Sequence, residues 1–134
     1  MKKVHRDFQD IPSLELARII ARAALDKKAE DLVILDVRGV SSFADFFVIM
    51  SGRSTRHVQG LSQAVDHELR RKKIGTEATE GYNEGRWVLL DYNDVIVHVF
   101  YSESRGFYDL EGLWRDAPRM AVEEKPEPAE KTGQ

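Results

Sequence analysis

The chain has 134 residues with a formal net charge of −3, and 42% of them are hydrophobic, which fits one globular domain with a substantial core. Because cysteine is absent, disulfide and thiolate chemistry are excluded, and the acidic balance argues against a protein that binds mainly through nucleic-acid phosphates. The basic N-terminus is not followed by the apolar stretch of a secretory signal, and no run is long enough to span a membrane, so we expect a cytoplasmic protein.

The first predicted elements are a helix and two buried strands. Ser13 directly precedes a helical repeat of apolar residues, so it is the expected N-cap of a helix that runs to about Lys28. The run 32–37 is short, continuous and rich in branched residues, as in a strand that is buried on both faces. The run 44–50 predicts a second strand of the same kind. We expect these two strands at the centre of the sheet.

A long amphipathic helix is predicted next. Ser54 or Thr55 is its expected N-cap, apolar residues recur at helical spacing up to about Lys73, and Gly75 is its expected stop. The basic cluster 70–73 falls in its last turn. Such a cluster is typical of a solvated helix end that complements the helix dipole, and the alternative is an RNA-binding module that uses these residues on phosphate.

A β-hairpin is predicted where the runs 87–92 and 95–100 flank Asn93 and Asp94. Both turn residues tolerate the positive φ that a two-residue hairpin loop requires. This placement of the turn determines which residues face each other across the ladder. The predicted pairs are Tyr92 with Val95, Asp91 with Ile96, Leu90 with Val97, Leu89 with His98, Val88 with Val99, and Trp87 with Phe100.

The two faces of this hairpin differ in chemistry. The aliphatic face carries Val88, Leu90, Tyr92, Val95, Val97 and Val99. The mixed face carries Trp87, Leu89, Asp91, Ile96, His98 and Phe100. The aliphatic face requires a core to cover it. The mixed face is either a docking surface or a second buried face in which Asp91 and His98 find hydrogen-bond partners.

The segment 101–114 follows the hairpin and interleaves aromatic residues with acids, which is typical of an acidic protein-binding surface. The alternative is a short helix that closes the edge of the domain. Three apolar residues would then be buried: Phe107, Leu110 and Leu113. We expect some of each, with the aliphatic side chains inward and Tyr108, Trp114 and the acids partly outward.

The order of elements is helix, two strands, helix, three strands and a short helix, counting a weak strand at 76–80. This order predicts an α/β (α+β) fold with a single mixed β-sheet of about five strands flanked by helices. We expect residues 1–13 to be an N-terminal extension and 14–120 the folded domain. Residues 121–134 contain two prolines and almost no large apolar residue, so we expect a disordered tail.

Motifs for catalysis or metal binding are weak. None of the four histidines forms the i, i+4 pair of a zinc protease helix. The turn at Ser51 and Gly52 is similar to the one that opens the active site of nucleotidyltransferases, but the segment 76–80 lacks the paired carboxylates that hold two magnesium ions. A nucleotidyltransferase-like enzyme would have to use this turn with a carboxylate such as Asp91, and it remains the alternative function.

Four blocks of the sequence together resemble the ribosomal silencing factor family, also called the Iojap family. The blocks are Ala44 to Ile49, Ser51 to Ser54, Gly85 to Phe100 and Arg105 to Trp114. The resemblance covers about Leu14 to Trp114, and the C-terminal tail lies outside it. Where the family commonly has a glycine in the hairpin turn, this chain has Asn93, which also suits the left-handed conformation.

The resemblance implies a nucleotidyltransferase-like fold without the catalytic carboxylates, and a translation regulator rather than an enzyme. Family members bind the L-fourteen protein on the intersubunit face of the large ribosomal subunit and block joining of the small subunit when nutrients are short. The same partner is implied here, with no cofactor, no membrane and no dedicated small-molecule ligand. An exposed aromatic surface would also allow the free protein to form a transient homodimer. The implied partner-binding residues are Trp87, Leu89, Asp91, His98, Tyr108, Leu110, Glu111 and Trp114.

Overall fold

Helices and strands alternate along residues 11–122, the part of the chain that the structure, a computed structural model, describes. The elements are α1 (Ser13–Asp26), β1 (Glu30–Asp36), β2 (Phe46–Gly52), α2 (Thr55–Arg71), β3 (Ala78–Glu80), β4 (Trp87–Asp91), β5 (Val95–Tyr101), α3 (Ser102–Tyr108), α4 (Leu110–Leu113) and β6 (Arg119–Met120). No helix among these residues is both long and apolar enough to cross a bilayer.

The strands form a single mixed sheet in the order β3-β4-β5-β2-β1-β6. Strands β2 and β5 pair in parallel, and every other neighbouring pair is antiparallel. The predicted fold class is therefore confirmed, with six strands instead of about five. The additional strand, β6, has two residues, which is too short for a recognisable sequence pattern. Of the two strands predicted to be central, β2 is central, whereas β1 has only β6 outside it.

The inner face of the sheet, defined here as the face that packs on α1 and α2, holds the larger core. Leu16, Ile20 and Ala24 recur every four residues on α1 and are buried, because this spacing places them on one side of the helix. Helix α2 contributes four buried apolar residues at similar spacing: Val58, Leu61, Val65 and Leu69. Burial of each such side chain stabilises the fold by about 1.5–3 kcal/mol before entropy costs.

The two long helices begin differently. Ser54, one of the two predicted candidates, is the N-cap of α2. Its side chain accepts a hydrogen bond from the backbone N–H of His57 at 3.0 Å. The prediction that Ser13 caps α1 is wrong. Ser13 is the first helical residue, the N-cap position belongs to Pro12, and no side chain caps the helix.

The end of α2 also differs from the prediction. The helix ends at Arg71, and the chain reverses at Lys73, whose φ is 68°. The backbone N–H of Ile74 donates to Leu69 O and that of Lys73 to Arg70 O, each at 2.9 Å, which is a Schellman motif. Gly75 lies beyond this motif and is not the stop. Lysine tolerates the left-handed conformation here because the motif satisfies two carbonyls and places Ile74 against the core.

The outer face of the sheet, opposite α1 and α2, holds a smaller apolar cluster. It includes Val33, Leu35, Phe47, Ile49 and Phe100, and it is covered by α4 and the segment around Ala117. Helix α3 packs on β5 and β2. Most of the predicted N-terminal extension (1–13) and disordered tail (121–134) lies outside the described residues, so those two predictions remain expectations.

Candidate protein-binding face

The hairpin of β4 and β5 has the predicted register. The five pairs from Trp87 with Phe100 to Asp91 with Ile96 are all present. In the turn, Asn93 has a φ of 77°, and its backbone N–H donates to the Asp91 carboxylate at 2.8 Å. Asp94 does not have a positive φ, although both turn residues were expected to tolerate one. Because it accepts the hydrogen bond from Asn93, the Asp91 carboxylate has a structural role in the turn.

The aliphatic face of the hairpin is entirely buried against α1 and α2, as predicted. The mixed face is only partly covered. His98 and Phe100 are buried, at 4% and 0% exposed. The other four residues remain half-buried: Trp87, Leu89, Asp91 and Ile96. The mixed face therefore combines the two interpretations that the sequence left open, with a buried centre and an accessible margin.

An aromatic cluster, formed by the rings of Trp87, His98, Phe100 and Tyr108, links the mixed face to α3. The Trp87 ring centroid lies 5.0 Å from that of Phe100 and 4.6 Å from that of Tyr108. Its indole Nε1–H donates to His98 Nδ1 at 3.1 Å. Tyr108 is 42% exposed, so the cluster extends from the buried sheet to the surface. Aromatic pairs at such distances stabilise a structure by about 0.5–1.5 kcal/mol each beyond the burial of their area.

His98 lies at the bottom of this cluster. Phe47 contacts its ring edge-on with centroids 5.0 Å apart, and Nε2 is buried without a hydrogen-bond partner among the described residues. Burial lowers the pKa of His98 to about 4, because an apolar environment penalises the charged imidazolium. The ring is therefore neutral at pH 7.

Arg105 and Glu111 form a partly buried ion pair that joins α3 to α4. Arg105 Nε donates to Glu111 Oε1 at 3.0 Å and Nη2 to Oε2 at 2.8 Å, while Nη1 donates to Ser51 Oγ at 2.9 Å. Hydrogen bonds from Arg105 lower the pKa of Glu111. Glu111 was predicted to be part of an acidic surface for the partner, but its carboxylate is already neutralised by Arg105.

The side-chain directions in the segment 101–114 partly contradict the sequence analysis. Leu110 is buried and packs in the outer cluster. Leu113 is 77% exposed, although the segment's aliphatic side chains were expected to point inward, and Phe107, which the alternative of a closing helix would bury, is 83% exposed. For Phe107 the reason is Asp109, whose φ of 48° ends α3 and separates Phe107 from Leu110 in α4. Residues spaced three apart share a face only within one continuous helix.

A second exposed apolar segment lies near α4. Val40 and Phe43, in the loop between β1 and β2, are 54% and 70% exposed. Val40 lines a groove of about 340 Å³ together with Leu113 and Trp114. Sequence reasoning did not identify Val40 and Phe43, because nothing in the pattern of a polar loop marks its apolar residues as a surface. It expected Leu113 inward and Trp114 partly outward.

The eight predicted site residues thus have different surroundings. Trp87, His98 and Tyr108 meet in the aromatic cluster, and Leu89 and Asp91 continue along β4. Trp114 contacts Phe47 edge-on at 5.2 Å between centroids. Leu110 is buried and Glu111 is paired, so neither presents a free side chain to a partner. Phe107 and Leu113, which are not among the eight, are exposed.

The structure does not bring together Ser51 and Asp91, the residues that a nucleotidyltransferase-like enzyme would need. Ser51 pairs through the sheet with Phe100, whereas Asp91 pairs with Ile96, so the two residues lie roughly 13 Å apart along the strand direction. The Ser51 hydroxyl is buried and bonded to Arg105. No group of three or more potential metal-ligating side chains occurs within 11–122.

The basic cluster at the end of α2 is paired within its own helix. Arg70 Nε lies 2.8 Å from Asp66 Oδ2, and Arg71 and Lys72 both contact the Glu68 carboxylate. These are i, i+3 and i, i+4 pairs, which are typical of a solvated helix surface. This pairing favours the interpretation of the basic cluster as a solvated helix end over its interpretation as an RNA-binding surface.

The protein has a small α+β fold, and within 11–122 its exposed large apolar residues lie in the segments 40–43 and 107–113. This arrangement is typical of the class of protein-binding modules. A family model described as "Ribosomal silencing factor during starvation" matches residues 10–134. The chain therefore belongs to the ribosomal silencing factor family. The match includes the tail, which the resemblance seen in the sequence did not.

Individual relatives agree with this assignment. Ribosomal silencing factor RsfS of Halalkalibacterium halodurans is 42% identical over 109 residues, which are 81% of this chain and 93% of the relative. Ribosomal silencing factor RsfS of Bacillus subtilis is 43% identical over 103 residues, 77% of this chain and 87% of the relative. "Protein Iojap, chloroplastic" of Zea mays is 32% identical over a matched region that spans 81% of this chain and 47% of the maize protein.

Solved structures show the same fold. A crystal structure of a Chromobacterium violaceum protein superposes with a TM-score of 0.77 at 30% identity, covering 89% of this chain and 93% of that chain. A crystal structure from Bacillus halodurans gives a TM-score of 0.73 at 38% identity, covering 81% of this chain and 99% of that chain.

Proposed function

We propose that this protein binds the large ribosomal subunit through its L-fourteen protein and thereby blocks joining of the small subunit, repressing translation when nutrients are short. The family to which the chain belongs supports a role in ribosome silencing. One structural observation supports the location of the binding face: Phe107, Tyr108 and Leu113 are all exposed on α3 and α4, beside the accessible margin of the mixed face.

Exposed apolar side chains on adjacent short helices favour a protein partner. Burial of a large aromatic or aliphatic side chain at an interface is favourable, and the few residues that contribute most to binding are often such anchors. Leu89 and Ile96 on the mixed face are half-buried and would extend the apolar area along the sheet.

The exposed acidic residues near α3 and α4 are complementary in charge to a basic ribosomal protein. Glu103, Asp109 and Asp116 are exposed in or beside α3 and α4. Complementary charges at the rim of an interface increase the rate of association and orient the partner more than they increase affinity. Glu111 contributes less free charge to this rim than these three acids, because Arg105 pairs with it.

The mechanism requires no chemical step. A stable interface buries roughly 800 Å² on each partner, and a protein of this size bound on the intersubunit face would occupy space that the small subunit needs. The extent of silencing would then depend on the affinity for the large subunit and on the amount of protein in the cell.

Co-sedimentation of Phe107→Ser and Leu113→Ser variants with purified large subunits tests this proposal. Both side chains are exposed, so we expect the fold to be retained and binding to fall on the order of tenfold or more for each variant. His67→Ser, at an exposed position on α2 on the other side of the sheet, is the matched control and should bind like the wild type.

Light scattering then measures subunit joining with the same variants. We expect the wild type and His67→Ser to inhibit joining, and the two surface variants to require a higher concentration. Wild-type binding to small subunits alone, or to neither subunit, would overturn the proposed function. Equal binding by all four proteins would overturn the assignment of the face.

A further inference from the structure

We propose that His98 is a positioning residue, whose buried ring holds the Trp87 indole in the orientation that the partner meets. The inference depends on the proposed function, because it assigns a role within the same binding face. It differs from the implication of the family resemblance, in which His98 itself contacts the partner. His98 is only 4% exposed, so a partner that docks on the surface meets Trp87 and Tyr108 instead.

The proton arrangement between the two rings follows from their chemistry. An indole nitrogen can only donate a hydrogen bond, so His98 Nδ1, 3.1 Å from Trp87 Nε1, must be the acceptor. In the neutral imidazole the proton then lies on Nε2. That nitrogen is buried and has no partner among the residues that the structure describes.

An unpaired buried N–H makes histidine an unfavourable choice for stability alone. An apolar side chain of similar size would fill the space under Phe47 and Trp87 without an unsatisfied donor. The imidazole supplies one thing that an apolar residue cannot, which is an acceptor for the indole N–H. We infer that this acceptor is the function of His98.

The orientation of Trp87 determines the position of surface groups. The Tyr108 ring packs against the Trp87 ring at 4.6 Å between centroids, and Phe107 in turn packs edge-on against Tyr108 at 5.2 Å. A chain of ring contacts therefore runs from buried His98 to the exposed Phe107. If the indole turns, its contact with Tyr108 changes, and the binding surface is less well preorganised.

A pair of isosteric variants separates the acceptor from the packing. In His98→Asn the side-chain oxygen can occupy the position of Nδ1, two bonds from Cβ, and accept from Trp87. In His98→Leu a methyl group occupies the same position. We expect His98→Leu to bind large subunits on the order of tenfold more weakly than the wild type, and His98→Asn to restore most of that affinity.

The indole ¹H–¹⁵N signal of Trp87, assigned by its loss in Trp87→Phe, provides a readout that needs no ribosome. We expect the signal to keep its shift and slow hydrogen exchange in His98→Asn, and to move and exchange faster in His98→Leu. An unchanged indole signal in His98→Leu, or equal affinities of the two variants, would overturn the positioning role. Failure of the wild type to bind large subunits would instead overturn the proposed function, while the indole comparison would still decide whether His98 holds Trp87.

Discussion

Arg105 connects three parts of the outer layer, since its guanidinium contacts Glu111 on α4 and Ser51 on β2 while the residue itself lies on α3. Sequence separation between Ser51 and Arg105 is 54 residues, and no local pattern predicts such a contact. The planar guanidinium directs donors on three nitrogens toward three acceptors, a geometry that the single nitrogen of a lysine does not reproduce.

We expect Arg105→Lys to lower the free energy of unfolding by about 1–3 kcal/mol, because it leaves polar groups without hydrogen-bond partners at a site that is largely shielded from water. Denaturant titration measures this loss. Arg38→Lys is the matched control, since Arg38 also pairs bidentately, with Asp36, but is 57% exposed. The control should change stability by less than about 0.5 kcal/mol. Equal losses in the two variants would contradict the structural role of Arg105.

His98 makes stability depend on pH. Its pKa is lowered to about 4 in the folded protein by burial, against 6.5 when exposed, so between these values the unfolded chain binds more protons than the folded one. Stability therefore decreases as the pH falls through this window. Between pH 7 and 4.5 we expect the wild type to lose roughly 2 kcal/mol more than His98→Leu.

Urea unfolding of the two proteins at both pH values measures this difference, because carboxylates elsewhere titrate in both proteins alike. The same loss in wild type and variant would show that His98 is accessible to protons in the folded state.

At the scale of elements, the loop before β4 places Trp87 at the start of its strand. Gly81 has a φ of 81°, and a Cβ on it would collide with the backbone carbonyl of Trp87. A residue with a side chain would therefore be strained in its backbone and would displace β4, the strand that carries part of the proposed binding face.

We expect Gly81→Ala to lower the free energy of unfolding by about 1–3 kcal/mol and to shift the Trp87 indole signal. Gly60→Ala is the contrasting variant, since Gly60 lies exposed within α2 and a Cβ there would meet no atom within 4 Å. That change should stabilise the protein by about 0.4–1 kcal/mol. Thermal or denaturant unfolding gives both values, and changes of the same sign would contradict the argument.

At the scale of the whole molecule, steric occlusion makes the outcome depend on the order of mixing. If the binding face docks on the intersubunit side of the large subunit, joined ribosomes hide that site. We expect the protein to block joining when it is added to large subunits first, and to have little effect on the scattering of ribosomes that have already joined.

Scattering traces recorded with the two orders of addition test this expectation under conditions where joined ribosomes do not dissociate. Phe107→Ser serves as the control in both orders. Rapid loss of scattering on addition to joined ribosomes would contradict simple occlusion and would indicate active splitting.

The hairpin illustrates how far sequence reasoning extended. Its register followed from the position of Asn93 and the alternation of side chains, because both depend on dihedral preferences within a few residues. The buried aliphatic face and the two amphipathic helices followed in the same way. In contrast, the exposure of Phe107 could not be predicted, since the left-handed Asp109 interrupts the helical spacing between Phe107 and the buried Leu110.

The fold class, the hairpin with its two faces and the resemblance to the family, which the family model confirmed, could all be derived from the sequence, because they depend on local periodicity and on motifs. Which side chains of the proposed face are accessible became evident from the three-dimensional packing. Glu111 pairs with Arg105, Leu110 is buried and His98 lies beneath Trp87. These roles depend on contacts between elements, and an alternating pattern does not specify what packs on each face.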